Sequence, residues 1–167
     1  MSVQIRNATP ADWAAIWPFF HDIVTAQETY AYDPDLTEEQ AEALWMSPSK
    51  DPLSRTTVAV DADGTVLGSA NMYPNRPGPG SHVASASFMV GSAARGKGVG
   101  RLLCADMIDW AQQSGFRSIQ FNAVVETNAA AVHLWQDLGF TIIGTVPEAF
   151  HHPKHGYVGL HVMHRPL

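Results

Sequence analysis

The sequence predicts an α/β (α+β) fold: one mixed, mostly antiparallel central sheet with helices on both of its faces. Three observations predict it. Strand-like and helix-like segments are interleaved along the whole chain, where segregated runs would mark separate layers or domains. Two early strands are joined by the tight turn Ala62-Asp63-Gly64, which makes them antiparallel neighbours. The second half alternates strand, helix, strand, helix, strand, as a helical crossover requires. With 167 residues, 46% hydrophobic and 16% charged, the chain suits one domain over residues 1–167 and is too short for two with a linker.

Each element has a local cause. Residues 3–7 form a short strand. Thr9, Pro10 and Asp12 then start a helix as cap, first-turn proline and dipole-complementing acid, and Trp13, Ile16, Trp17, Phe20 and Val24 follow at helical spacing. Thr37-Glu38-Glu39-Gln40 is a capping-box pattern for a second helix running to about Met46, with Pro48 and Pro52 beyond it. Residues 55–61 and 65–73 make the hairpin. Residues 74–82, with three prolines and two glycines, read as an ordered loop, and residues 83–90 as the next strand. A helix over residues 98–114 carries Val99, Leu103, Met107 and Trp110 on one stripe and stops at Gly115. Residues 117–125 form a strand. Thr127 or Asn128 caps a last helix that reaches Leu138 and ends at Gly139. Residues 141–146 and 157–164 complete the sheet, joined by a histidine-rich connection.

Composition narrows function. No apolar run approaches the roughly 20 residues of a membrane span, and the N-terminus lacks a signal-peptide pattern. A lone Cys104 permits neither an internal disulfide nor a paired-cysteine zinc site. These features lead us to expect a cytoplasmic protein that does not engage membranes. The net charge of −6 argues against a nucleic-acid surface. Charge is unevenly spread, however: residues 1–63 carry 11 acids and 3 bases, residues 64–167 carry 5 acids and 7 bases, and Arg95, Lys97 and Arg101 fall within seven positions.

Those bases stand among glycines. Phe88-Met89-Val90 leads into Arg95-Gly96-Lys97-Gly98-Val99-Gly100-Arg101, where an amphipathic helix begins. Glycines let a ligand approach the backbone, and a helix N-terminus aims N–H groups and partial positive charge at the same point, so the stretch reads as a pyrophosphate cradle. It is not a P-loop, since no Ser or Thr follows Lys97. Nor is it the dinucleotide fingerprint, because Arg101 stands where the third glycine belongs.

The segment from Arg95 to Gly100 resembles the Arg/Gln-x-x-Gly-x-Gly/Ala loop of the GNAT family of N-acetyltransferases. Asn128 to Phe140, ending Leu138-Gly139-Phe140, is similar to that family's second motif. The two motifs stand at the family's separation on a matching element order. The resemblance implies the GNAT-like sheet, in which one strand splays from its neighbour, with acetyl-CoA as cosubstrate and no metal. It implies Phe88, Met89 and Val90 as backbone contacts of the pantetheine arm, with an N–H at Val90 polarising the thioester carbonyl. It further implies Gly96, Gly98, Val99, Gly100 and Arg101 around the pyrophosphate, Arg95 and Lys97 at its edge, and Asn128 on the arm, where it doubles as a helix cap.

Trp135 departs from the family pattern, since many members carry a tyrosine there as the acid for the departing thiolate. Either Trp135 packs along the cofactor arm or it belongs to the core. A thiol of pKa near 8.5 leaves unprotonated at neutral pH for only about 2 kcal/mol, so activity does not require that acid. An amine near pKa 7.8 needs about 1 kcal/mol to become neutral and a lysine-like one about 4.6, so a dedicated base is optional for some acceptors. Glu28, Tyr30, His82 and Glu126 are candidates on the acceptor side, with Glu28 also the candidate base. Pro74-Asn75, Gly80-Ser81-His82, Phe121-Asn122 and the tryptophan variant resemble the subgroup acting on azetidine-2-carboxylate and phosphinothricin. That likeness implies Asn75 and Asn122 as the groups that handle the acceptor's polar atoms and relay a proton.

His151, His152, His155, His161 and His164 suggest a metal only superficially: the first three lie in a turn-like stretch, and the last two are an odd number apart on a strand, facing opposite ways. The hairpin carrying them is expected to line the acceptor pocket or a dimer contact. Taken together, the sequence predicts direct acetyl transfer to the amine of a small molecule, amino acids and analogues included, by a homodimer. The alternative is a catalytically silent CoA-binding module, favoured by Trp135 and by the lack of an obvious base.

Overall fold

A computed structural model describes residues 2–167. Its strands are β1 (Gln4–Asn7), β2 (Arg55–Val60), β3 (Val66–Pro74), β4 (Val83–Val90), β5 (Ser118–Val125), β6 (Thr141–His152) and β7 (Gly156–Pro166). Its helices are α1 (Trp13–Ala26), α2 (Glu38–Met46), α3 (Val99–Gln113) and α4 (Ala129–Asp137). The strands make one sheet in the order β1-β2-β3-β4-β5-β7-β6. Every neighbouring pair is antiparallel except β4 and β5.

The helices cover the two faces through separate cores, as strand alternation allows. One core joins Ala70, Met72 and Ala84 of the sheet to Leu103, Met107 and Ala111 of α3 and to Trp135 of α4. The other joins Val58, Val60 and Met89 to Trp13, Ile16 and Phe20 of α1 and to Trp45 of α2. Trp45 is fully buried, and its indole N–H donates to Ser69 Oγ at 2.9 Å. Asp12 locks β1 to the start of α1. Its carboxylate accepts both arms of Arg6 at 2.8 Å and the Thr9 N–H at 2.7 Å, and the Arg6 bonds hold its pKa down to about 2.

Two sequence expectations change. A single 3-10 turn over Pro10–Asp12 precedes α1, which begins at Trp13; Trp17 lies at the margin of the core while Phe19 and Ile23 are inside it. The histidine-rich segment is mostly strand. β6 runs through His151 and His152 because the chain shifts register between Val146 and Phe150, with Glu148 at φ 52°, and then pairs again with β7. Only residues 153–155 turn.

Candidate functional site

The glycine segment folds as a nest. Gly96 and Gly98 have φ of 74° and 79°, a region that side chains other than glycine enter at a cost, and Gly98 is the residue from which α3 starts. The first helical bond of α3 runs from Leu102 N–H to Gly98 O, so the amides of Gly98, Val99, Gly100 and Arg101 have no acceptor within the helix. No side chain caps them. A Cβ on Gly100 would meet Leu134 of α4 at 3.4 Å, an ordinary van der Waals contact, so Gly100 lies beside α4. Arg95 and Lys97 are exposed at the rim. Arg101 is oriented by Asp137 of α4 at 3.0 Å. The nest thus offers four amides without helical partners, with Arg95 and Lys97 exposed at its rim and Arg101 held by Asp137, a donor set that fits a diphosphate. Cys104, one turn into α3, is fully buried, and burial pushes its thiol up to about 12, which removes it as an acyl carrier.

Beside the nest the sheet opens. β4 and β5 pair only at Val83–Ser118 and Ala84–Ile119 and then separate. Asn75 N–H donates to Val83 O and Gly91 N–H to Leu67 O, so the odd-numbered residues of β4 turn their backbone groups to β3. Ala86, Phe88 and Val90 therefore turn theirs to the opening. Met89 does not: its backbone faces Ser69 of β3 and its side chain is buried against α1, which corrects the expectation that it offers backbone contacts to a ligand. The backbone groups of Phe88 already have a partner. Tyr30, from the α1–α2 connection, accepts from Phe88 N–H at 2.9 Å and donates to Phe88 O at 2.5 Å. Burial pushes the Tyr30 hydroxyl well above the usual phenol range, so it stays protonated.

On the α3/α4 face the opening has an aromatic floor. Trp135 lies 4.9 Å from Phe88 and 5.3 Å from Phe121, centroid to centroid, and Phe121 stacks on Phe140 at 4.3 Å. Trp135 is 8% exposed, so of its two readings the structure supports the core one, in a place that also borders the opening. Asn128 caps α4 by accepting from Ala131 N–H at 3.4 Å, which leaves its amide hydrogens free.

The opposite face carries the acceptor-side candidates. Asn122 stands three residues along β5 from the last shared rung, Ala84–Ile119, as Ser87 does along β4. Gln120 donates to Asn122 Oδ1 at 3.0 Å, and Asn122 donates to Asn75 Oδ1 at 2.6 Å. The structure therefore joins the two predicted asparagines and adds Gln120, whose position two residues from Asn122 on one strand face was the signal for it. Glu28 is held by Lys154 from the β6–β7 turn at 3.1 Å, and that ammonium keeps its carboxyl below the usual range. Lys154 carried no sequence signal. Between these segments lies a shallow cleft of about 350 Å3 lined by Gln27, Tyr30, Tyr32, Asp33, Phe150 and His151.

Two candidates lie elsewhere. His82 is exposed at the start of β4, about 25 Å along the strand from Val90. Glu126 spends its carboxylate on β7, accepting Gly159 N–H at 2.5 Å. The histidines do not gather as one cluster: His151 stacks on Tyr157, His152 and His155 pair with tilted rings, and His161 bonds Thr145 Oγ1. Among the described residues no three metal-binding side chains come together, and no helix is long and apolar enough to cross a membrane.

Comparison with known proteins fits this geometry. A family profile described as the acetyltransferase (GNAT) family matches residues 17–140. A GCN5-related N-acetyltransferase from Kribbella flavida is 77% identical, superposes with a TM-score of 0.95, and is covered over 98% of its chain by 99% of this one. An L-methionine sulfoximine/L-methionine sulfone acetyltransferase of Pseudomonas paraeruginosa is 33% identical over 151 residues, 89% of this chain and 86% of that protein. A phosphinothricin acetyltransferase from Sinorhizobium meliloti, solved in complex with acetyl-CoA, is 25% identical with a TM-score of 0.88, over all of this chain and 89% of that one.

Proposed function

The chain belongs to the acetyltransferase (GNAT) family, and from that premise we propose how its residues move an acetyl group from acetyl-CoA to the amine of a small amino acid or amino-acid analogue. One observation carries the reading: four amides without helical partners at the start of α3 follow, in the chain, a strand β4 whose edge β5 leaves after Ala84.

When bound, acetyl-CoA supplies a thioester whose carbonyl carbon the amine attacks and whose thiolate departs. The amides from Gly98 to Arg101, with Gly96 shaping the turn and Arg95, Lys97 and Arg101 adding charge, hold the diphosphate. Val90 N–H, turned to the opening, donates to the thioester carbonyl oxygen. Asn128 donates to the arm through its free amide hydrogens. Asn122, oriented by Gln120 and joined to Asn75, binds the acceptor's carboxylate. Glu28 attracts the ammonium form of the acceptor and does not serve as its base, because the Lys154 ion pair makes it a weaker base than a free carboxylate. Solvent then takes the proton, at a cost of about 1.4 kcal/mol for each unit by which the amine's pKa exceeds the ambient pH. No acid is needed at Trp135 for the same kind of reason.

We further propose that residues 1–167 act as one domain, supported by β1 and β7 sharing a sheet. The protein works as a homodimer in the cytoplasm, where acetyl-CoA is consumed. The exposed Ile142, Ile143, Val146 and Tyr157 on the β6–β7 hairpin support the dimer. The test is thiol release from acetyl-CoA with a panel of amino acids, sulfoximines, phosphinothricin-like amines and polyamines. Turnover is expected with one or more amino-acid-like amines. Turnover confined to polyamines, or to none, would overturn the acceptor assignment.

A further inference from the structure

The cleft of about 350 Å3 between the α1–α2 connection and β6 has aromatic rings on both walls, Tyr30 and Tyr32 on one and Phe150 and His151 on the other. Tyr32 is fixed between Tyr30 at 5.4 Å and Phe20 at 5.9 Å, and His151 lies on Tyr157 at 4.6 Å, centroid to centroid. The faces of such rings carry negative potential and attract cations. The carboxylate among the lining residues, Asp33, is exposed and enters no ion pair among the described residues; the Asp35 N–H occupies only its Oδ1, at 2.9 Å. Gln27, on the same wall, caps the C-terminus of α1. There the carbonyls of Thr25 and Ala26 have no helical donor, and no basic residue offsets the negative end of the helix dipole. Residues 22–42, which supply this wall, hold seven acids and neither Lys nor Arg. The nearby ammonium of Lys154 is spent on Glu28 at 3.1 Å, and the weaker fields of His152 and Arg95 fall on Glu28 as well. Tyr30 reaches from the cleft to Phe88 of β4, so the cleft adjoins the opening between β4 and β5.

We propose that this cleft selects an acceptor with a positively charged side chain, so that the preferred substrates are basic amino acids carrying a guanidinium or a second ammonium group. The inference rests on the amino-acid reading above and names the class within it, with Asp33 as the residue that sets the preference. A guanidinium is the sharpest probe. It stacks on rings, pairs with carboxylates and stays charged, so only the α-amine of such an acceptor can take the acetyl group. Citrulline has the shape of arginine with a neutral urea in place of the guanidinium, and the pair separates charge from size.

The experiment is thiol release from acetyl-CoA with arginine, citrulline and methionine, on the wild type, Asp33→Asn and Asp35→Asn. Asparagine at position 33 removes the charge and keeps an oxygen to accept from the Asp35 N–H. Asp35 is exposed and lies outside the lining of the cleft, so its variant removes the same charge from the surrounding field alone. In the wild type, kcat/KM for arginine is expected to exceed that for citrulline at least tenfold. Asp33→Asn should lower the arginine value at least fivefold and the citrulline value less than twofold, and Asp35→Asn should change either by less than twofold. An arginine-to-citrulline ratio that Asp33→Asn leaves unchanged overturns the proposal. So does an equal loss in Asp35→Asn, since the preference would then belong to the general field and not to the cleft. Turnover of citrulline or methionine as efficient as that of arginine removes this inference alone, whereas no turnover with any amino acid removes the amino-acid reading and this inference with it.

Discussion

The donor side and the acceptor side of this site are built from different materials. The proposed donor side, at the nest and along β4, presents main-chain amides whose positions follow from a helix start, a strand alternation and two glycines at positive φ. The proposed acceptor side presents side chains drawn from the α1–α2 connection, the end of β3, β5 and the β6–β7 turn. A backbone site tolerates change at most side chains but breaks when its conformation does. A side-chain site can be retuned residue by residue, which suits a fold that keeps one cosubstrate and varies its acceptor.

The largest expected effect comes from the element the two sides share. Trp135 packs on Phe88 of one strand and Phe121 of the other, so Trp135→Ala should lower unfolding free energy by about 3–5 kcal/mol in denaturant titration. Trp135→Tyr should keep most of the stability. If instead Trp135→Ala folds normally and loses only turnover, the residue touches the reaction and the core reading fails. Next is the donor side alone. Gly98→Asp forces a side chain into φ 79° and sets a negative charge at the start of α3, and it should weaken CoA binding at least 100-fold by calorimetry, with a stability loss from the strained backbone of no more than about 1–2 kcal/mol. A change below threefold would mean that the nest is not the diphosphate site.

The contrast in materials also explains what could be read from the chain. The fold followed from local signals: the capping box at Thr37 delivered α2, Gly115 and Gly139 ended their helices at φ 80° and 89°, and the strand over residues 83–90 emerged with its predicted bounds. The nest was legible because its residues are contiguous. Met89 could be placed only once β4 was paired, since alternation decides which residues face the opening and a one-residue shift inverts them. Tyr30 was singled out as an acceptor-side residue, yet its bonds to Phe88 span 58 residues. The ion pair of Glu28 with Lys154 likewise joins segments at opposite ends of the chain. Strand β6 was read as too short because a bulge interrupts its pattern at Val146.

On the acceptor side Asn122→Ala should raise KM for an amino-acid acceptor about tenfold, the worth of one hydrogen bond to a charged group, while CoA affinity stays within twofold. Gln120→Ala should do the same more weakly, because it orients Asn122 and does not itself reach the acceptor. Equal losses in CoA binding and acceptor KM would blur the boundary between the two sides.

The smallest effect sharpens that boundary most. Lys154 and Glu28 are 73% and 40% exposed, and a pair so open to solvent adds little to folding. Its use is to draw the β6–β7 turn toward the α1–α2 connection over the cleft. Lys154→Ala should let the Glu28 carboxyl rise toward its ordinary value, still ionised at neutral pH, so the rate profile above pH 6 should keep its shape. Only the tether is lost, and acceptor KM should rise about two- to threefold at constant CoA affinity. The exchanged pair, Glu28→Lys with Lys154→Glu, should recover part of that loss if the tether matters, and none of it if Glu28 itself attracts the acceptor's ammonium group. A tenfold fall in CoA binding on Lys154→Ala would instead make the hairpin part of the donor side, and the division between main-chain and side-chain recognition would no longer follow the division between the two substrates.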